Sequence, residues 1–218
     1  MAELLRKHKS LWLEGAFRWD VLIGLILFLA GLLMTYYANF YATLRASNPV
    51  TDIILDNLPV VNVNFLFTEG VDLFTLFVLA IVLYEPRRIP FILKSAALFI
   101  ITRSFFIMLT HVAAPLQKSY IDTTDLLYKL SSGNDMFFSA HTGLPFLMAI
   151  IFWENKNLRY LFLLFTVVGG VVVLLGHLHY SIDVFSSLFI AFGVFHISKS
   201  LFYSDYRMFR GSEAVGTN

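Results

Sequence analysis

The sequence predicts an all-α integral membrane protein, a bundle of six transmembrane helices. Three observations predict it. Of 218 residues, 58% are hydrophobic and 14% charged, and the mean hydropathy is +0.72, well outside the balance of a soluble domain. Six stretches are each apolar over about the 20 residues needed to cross a bilayer. Lys and Arg fall mostly on alternate connections, as basic residues do on the cytoplasmic side of a membrane.

The chain opens with an amphipathic charged segment, residues 1–19, carrying Arg6, Lys7, Lys9, Glu14 and Arg18. The first apolar stretch, residues 20–43, is too long for a signal-peptide core and lacks a small-residue cleavage site, so it reads as a retained helix. The other spans are predicted at 64–85, 89–112, 136–153, 158–178 and 182–203. This divides the chain into a cytoplasmic N-terminal segment (1–19), a six-helix membrane catalytic domain (20–205) and a cytoplasmic tail (206–218) that frays at its end. Two long polar connections separate the spans. Residues 45–63 include a probable-turn sequence, Asn57-Leu58-Pro59, and residues 113–135 suit a structured loop covering a site.

With both termini inside, eleven of the 16 basic residues lie on inner segments: Arg6, Lys7, Lys9, Arg18, Arg87, Arg88, Lys156, Arg159, Lys199, Arg207 and Arg210. Arg45, Lys118 and Lys129 lie outside, and Lys94 and Arg103 fall within the third span. Scattered in this way, the basic residues argue against nucleic acid as a partner. A formal net charge of +1 adds nothing more. The absence of cysteine excludes disulfides, thiolate metal sites and cysteine nucleophiles.

Two polar islands interrupt the apolar sequence: Asp135-Met136-Phe137-Phe138-Ser139-Ala140-His141-Thr142 and His177-Leu178-His179-Tyr180-Ser181-Ile182-Asp183. The predicted topology opens both on the outer face, with His141 at the start of the fourth span and His179 and Asp183 around the hairpin between the fifth and sixth. His179 and Asp183, four residues apart, are expected on one helical face, where the carboxylate holds one imidazole nitrogen and sharpens the other as nucleophile or base. A second histidine, His141, supplies the matching acid. Breaking a phosphodiester at phosphorus needs an in-line nucleophile, charge stabilisation on the non-bridging oxygens and a proton for the departing alkoxide. Ser139, the backbone N–H groups at the start of the fourth helix and Arg103 are candidates to hold the phosphate; Asp135 is a candidate to face an amine headgroup, and Tyr180 completes the candidate substrate-binding set.

Asp-x-x-x-Ser-x-His-Thr at 135–142, followed by His-x-His-Tyr-Ser-x-Asp-Val at 177–184, resembles the paired motifs of the sphingomyelin synthases and their relatives within the type 2 phosphatidic acid phosphatase superfamily. The six-span layout and Arg103 with Thr110 and Pro115 extend the resemblance along the chain. It implies a type 2 phosphatidic acid phosphatase-like bundle that needs no metal or other cofactor and moves a phosphocholine or phosphoethanolamine group from a phospholipid donor to a lipid alcohol acceptor, ceramide or diacylglycerol, or to water. In that family's terms His179 is the nucleophile, Asp183 its orienting carboxylate and His141 the general acid. Asn134 and Ala140 stand where the family usually has glycine, which bears on substrate fit. The superfamily's phosphatases carry an arginine six residues before the nucleophilic histidine, where this chain has Val173.

Other readings stay open at this point. His179 with Asp183 also fits a hydrogen-bonded pair anchoring a helix end. Arg103 pairs as well with a carboxylate such as Glu69 or Asp72 as with phosphate, and Asp135 or Asn134 suits a helix cap. His177, His196 and His111 read as structural or interfacial. The same triad serves a lipid phosphatase or phospholipase C-type hydrolase, and a transporter or cation site using His141, His177, His179 and Asp183 is a third class. Chain length leaves the oligomeric state open, a homo-oligomer included.

Overall fold

The computed structural model describes residues 2–121 and 136–215, and every regular element among them is helical. The helices are α1 (Ala2–Leu13), α2 (Gly15–Leu44), α3 (Asn64–Tyr84), α4 (Ile89–Leu109), α5 (Ala140–Ile151), α6 (Lys156–Leu175), α7 (Ser181–Leu201) and α8 (Tyr203–Val215). Five are long and apolar enough to cross a membrane: α2, α3, α4 with its leading turn from Pro86, α6 and α7. The chain is a multi-pass membrane protein, and α5 is a shorter apolar helix inside the bundle.

The fourth predicted span therefore differs from its observed form. Residues 136–139 are not helical, and α5 has only 12 residues. The cause is a backbone bend that hydropathy does not register: Phe138 has φ 26°, and its carbonyl accepts a 2.9 Å hydrogen bond from Arg103 Nε instead of serving a helix.

Packing is tightest where glycine lets helices close. Gly24 and Gly31 of α2 face Leu93, Lys94, Ile100 and Ile101 of α4 at van der Waals range, and Thr35 Oγ1 meets Ser104 Oγ at 2.8 Å across the same seam. The core between α4, α5, α6 and α7 is aromatic, with Phe91, Phe99, Phe138, Phe152, Phe162 and Phe209 fully buried. α3 lies at the rim, with only 6% of its apolar window buried, touching α6 through Phe74 and Phe77 against Phe162 and Phe165.

Lys94, predicted within a span, is buried against two carboxylates, Asp20 Oδ1 at 2.9 Å and Asp205 Oδ2 at 2.7 Å. These join α2, α4 and α8. A buried ammonium keeps its charge only when so paired, so the last helix is fastened to the first span through one lysine.

Candidate active site

The hairpin between α6 and α7 is built by two helix ends. α6 stops in a Schellman motif: Leu178 N donates to Val173 O at 2.9 Å and His177 N to Leu174 O at 3.0 Å, with His177 in the left-handed region at φ 51°. Glycine usually takes that position; here a histidine does, with its ring buried and Nε2 without a partner. α7 then starts at Ser181, with Tyr180 as N-cap in extended conformation (φ −71°, ψ 158°).

His179 thus precedes α7 and does not share a helical face with Asp183 as the four-residue spacing suggested. The two meet because Asp183, in the first turn, reaches back over the N-terminus. Its Oδ2 accepts from Tyr180 N at 3.0 Å and lies 3.3 Å from His179 Nδ1. A carboxylate over a helix N-terminus is also favoured by the exposed N–H groups and the helix dipole. Both side chains are buried, at 4% and 1% exposure.

The first polar island is tied to the second by backbone, as Ser139 N donates to Asp183 O at 3.0 Å. Two residues on, His141 is the second residue of α5. Its ring stacks on Phe67 of α3, centroids 4.1 Å apart and planes at 26°. Its backbone abuts Gly169 of α6, where any Cβ would overlap the His141 carbonyl oxygen. A Cβ at Gly170 would stand 3.3 Å from Val184, a tight contact, and 3.5 Å from Thr142 Oγ1, an ordinary one. The paired glycines therefore set the height of His141 against the hairpin.

Of the residues singled out from sequence, His141, His179, Asp183, Ser139 and Arg103 gather at one end of the bundle. Ser139 Oγ is buried and unpartnered, as is Thr142 Oγ1 nearby. Arg103, 5% exposed, donates to the Phe138 carbonyl. Tyr180 is buried, and its hydroxyl binds backbone: it donates to Ala113 O at 2.9 Å and accepts from Val50 N at 3.2 Å. Tyr180 thereby clasps both long connections to the hairpin. Asp135 lies outside the described residues. Among the described residues no three metal-donor side chains converge, His177, His179, Asp183 and His141 included.

Sequence reading missed Asp52. Its Oδ1 accepts from Ile54 N and Leu55 N at 2.9 and 3.2 Å, and its Oδ2 accepts from Ser181 N at 2.6 Å, so it pins the 45–63 connection onto the first residue of α7. The local turn was legible, since aspartate favours it. The bond to Ser181, 129 residues away, had no sequence signal. Phe67 was equally silent, one apolar residue in an apolar helix.

Residues 132–200 match the family model described as PAP2 superfamily C-terminal. The match supports the type 2 phosphatidic acid phosphatase superfamily, and with it an enzyme of lipid phosphatase or phosphotransferase type. It spans α5, α6 and nearly all of α7, the segment that contributes His141, His179 and Asp183. No curated protein and no solved structure matches the chain. In superfamily context Val173 is fully buried, its carbonyl serving the Schellman turn beneath His179.

Proposed function

We propose that the chain is a phospholipid headgroup phosphotransferase that works through a phosphohistidine on His179. The observation that carries the proposal is the buried His179–Asp183 pair at 3.3 Å, to which the backbone two residues before His141 is bonded through Ser139 N and Asp183 O. With Nδ1–H donated to Asp183, Nε2 of His179 bears the lone pair. It attacks phosphorus in line; the N–P bond forms as the P–O bond to diacylglycerol breaks, and protonated His141 gives its proton to the leaving oxygen. The acceptor hydroxyl then attacks the phosphohistidine, returns a proton to His141 and frees His179. Ser139 Oγ, the first-turn N–H groups of α5 and Arg103 hold the phosphoryl oxygens, Asp135 meets the headgroup amine, and Tyr180 keeps both loops seated over the site. No step in this scheme calls for a metal.

The buried valine at 173 supports the synthase branch, because the phosphatases' arginine would have to replace a fully packed side chain. Donors are phosphatidylcholine or phosphatidylethanolamine, and acceptors ceramide or diacylglycerol. The distribution of Lys and Arg supports both termini on the cytoplasmic side and the site opening outward, to a periplasmic, extracellular or lumenal space.

Purified protein in lipid is expected to release diacylglycerol from such a donor without added metal, with label reaching a lipid alcohol faster than water. His179→Ala, folded by thermal unfolding in detergent, is expected to lose that activity; undiminished turnover would refute the assignment. Free phosphocholine or phosphoethanolamine as sole product would convert the reading to a hydrolase with the same triad. For orientation, Ile53→Cys introduces a lone, exposed thiol into a chain with no cysteine, and an impermeant reagent is expected to reach it from outside.

A further inference from the structure

Toward the end of the bundle opposite His179 lies a cavity of about 430 Å³ between α5, α7 and α8. Its walls combine an apolar side, from Phe146, Phe192 and Phe195, with Lys199, His196 and Arg210. α7 starts from Ser181 at the hairpin, and its lining residues Phe192 to Lys199 lie 11–18 residues along it, about 17–27 Å of rise from the hairpin. Phe146 brings the cavity's near wall to within five residues of His141 along α5, but its charged wall, Lys199 and Arg210, lies apart from the site described above.

We infer that this cavity is a binding site for an anionic glycerophospholipid of the leaflet opposite the catalytic histidines, with its phosphate on Lys199 and Arg210 and an acyl chain along the phenylalanines. The charge is fitted to one anion. Lys199 and Arg210 outweigh the single carboxylate, Glu154, whose oxygen is 3.8 Å from Arg210 Nη2 with both side chains well exposed. An exposed pair of that length is weak, and a charge-assisted contact to a phosphate oxygen is stronger. Lys199 Nζ sits 5.0 Å over the Tyr206 ring and the His196 ring packs on Phe192 at 4.5 Å, which brings an ammonium and an imidazole to the apolar wall, as a headgroup site next to acyl chains requires. Phe192 is 55% exposed, open to lipid.

The cavity exists because α8 is held as its third wall. Lys94 clamps Asp205, and Tyr206 and Phe209 pack on Phe91. The shared chemistry is a phosphate group, from a lipid or free in solution, and the test separates the two.

Protein in detergent is offered equal amounts of phosphatidylglycerol and phosphatidylcholine with matched acyl chains, and bound lipid is counted by native mass spectrometry. The wild type is expected to retain the anionic lipid about ten-fold over the zwitterionic one. Lys199→Gln with Arg210→Gln is expected to bring the ratio near one, and Glu154→Gln to raise it. Arg87→Gln with Arg207→Gln, two exposed cations at the same end outside the cavity, is expected to leave it unchanged. Equal retention by the wild type, or equal loss in both double variants, would overturn the site. Thermal protection by inorganic phosphate alone, equal to that by the lipid, would assign the cavity to a soluble phosphate and overturn the lipid proposal. Unfolding temperatures of all variants, measured without lipid, keep misfolding from passing as lost binding.

Discussion

The two ends of this bundle pair their buried ionisable groups differently. At the Lys94 end, one ammonium meets two carboxylates at 2.7 and 2.9 Å, from α2 and α8. At the histidine end, the ion-pair geometry is longer, 3.3 Å between His179 and Asp183, and Ser139 Oγ, Thr142 Oγ1 and His177 Nε2 lie buried with no partner. Leaving a buried polar atom unmade costs about 1–3 kcal/mol. Unpartnered buried oxygens occur at the Lys94 end too, at Asp205 Oδ1, Ser95 Oγ and Ser198 Oγ, so the contrast lies in the charges: one cation held by two carboxylates from two other helices makes a structural clamp, whereas a histidine–carboxylate pair beside open hydroxyls makes a candidate reactive site.

The sharpest test of that contrast is Asp183→Asn. The amide keeps an oxygen for Tyr180 N but loses the charge that orients His179, so turnover is expected to fall by about 10³-fold or more while stability moves by about 1 kcal/mol. Steady-state kinetics beside thermal unfolding checks the split; a loss of stability matching the loss of rate would make Asp183 merely a cap.

Lys94→Ala should do the reverse. Removing one partner of a buried pair costs about 3–5 kcal/mol, and the activity of the molecules still folded is expected to be unchanged. Burial raises the pKa of Asp205 against the opposing pull of Lys94. The folded state thus binds more protons than the unfolded chain above the ordinary carboxylate pKa near 3.8; this contribution is full below that value and lost as pH rises through the folded pKa. Without Lys94 the dependence is expected to steepen, with acid partly rescuing the variant.

Gly169→Ala lies between the two. Its methyl meets the His141 carbonyl oxygen, so α5 and α6 must part; about 1–3 kcal/mol of stability and about 10²-fold in turnover are expected to go. Gly170→Ala, facing only contacts of 3.3 Å or more, is the milder control, and equal effects would remove the special role given to the His141 backbone.

The smallest effect is expected at Asp52. Burial pushes its pKa up, but hydrogen bonds from Ser181, Leu55 and Ile54 prevail and hold it below the usual value of 3.8. Its stabilisation is present above 3.8 and is lost as pH falls through the depressed value. Asp52→Asn should remove that acid-dependent part and cost about 0.5–2 kcal/mol at neutral pH, as for a lost helix cap. Hydrogen exchange in residues 45–63 at two pH values measures it.

Hydropathy made the spans legible: α3, α4 and α7 lie within three residues of the predicted ends, because the bilayer requirement acts on composition and length alone. It overran at α5, where the decisive event is Arg103 taking the Phe138 carbonyl, a bond between residues 35 apart. The second polar island was legible as a set, since its residues are consecutive, but not in geometry: spacing suggested a helical face, and a helix start brings His179 and Asp183 together. Lys94 was visible only as an isolated cation, because Asp20 and Asp205 lie 74 and 111 residues away. Local rules reached caps and spans; clamps between distant helices lay beyond them.

The brevity of α5 carries one more consequence. Twelve residues rise only about 18 Å, short of a hydrocarbon layer near 30 Å, so the non-helical main chain at residues 136–139 sits at a depth where acyl chains offer it no partner, and protein supplies them: Arg103 for the Phe138 carbonyl and the Asp183 carbonyl for Ser139 N. The flanking connections, stapled by Asp52 and Tyr180, act as a gasket over that strip, with Met136 buried against Leu55 and Tyr180. Host membrane thickness then becomes a tuning variable, with thinner bilayers lessening the mismatch beside the reactive pocket.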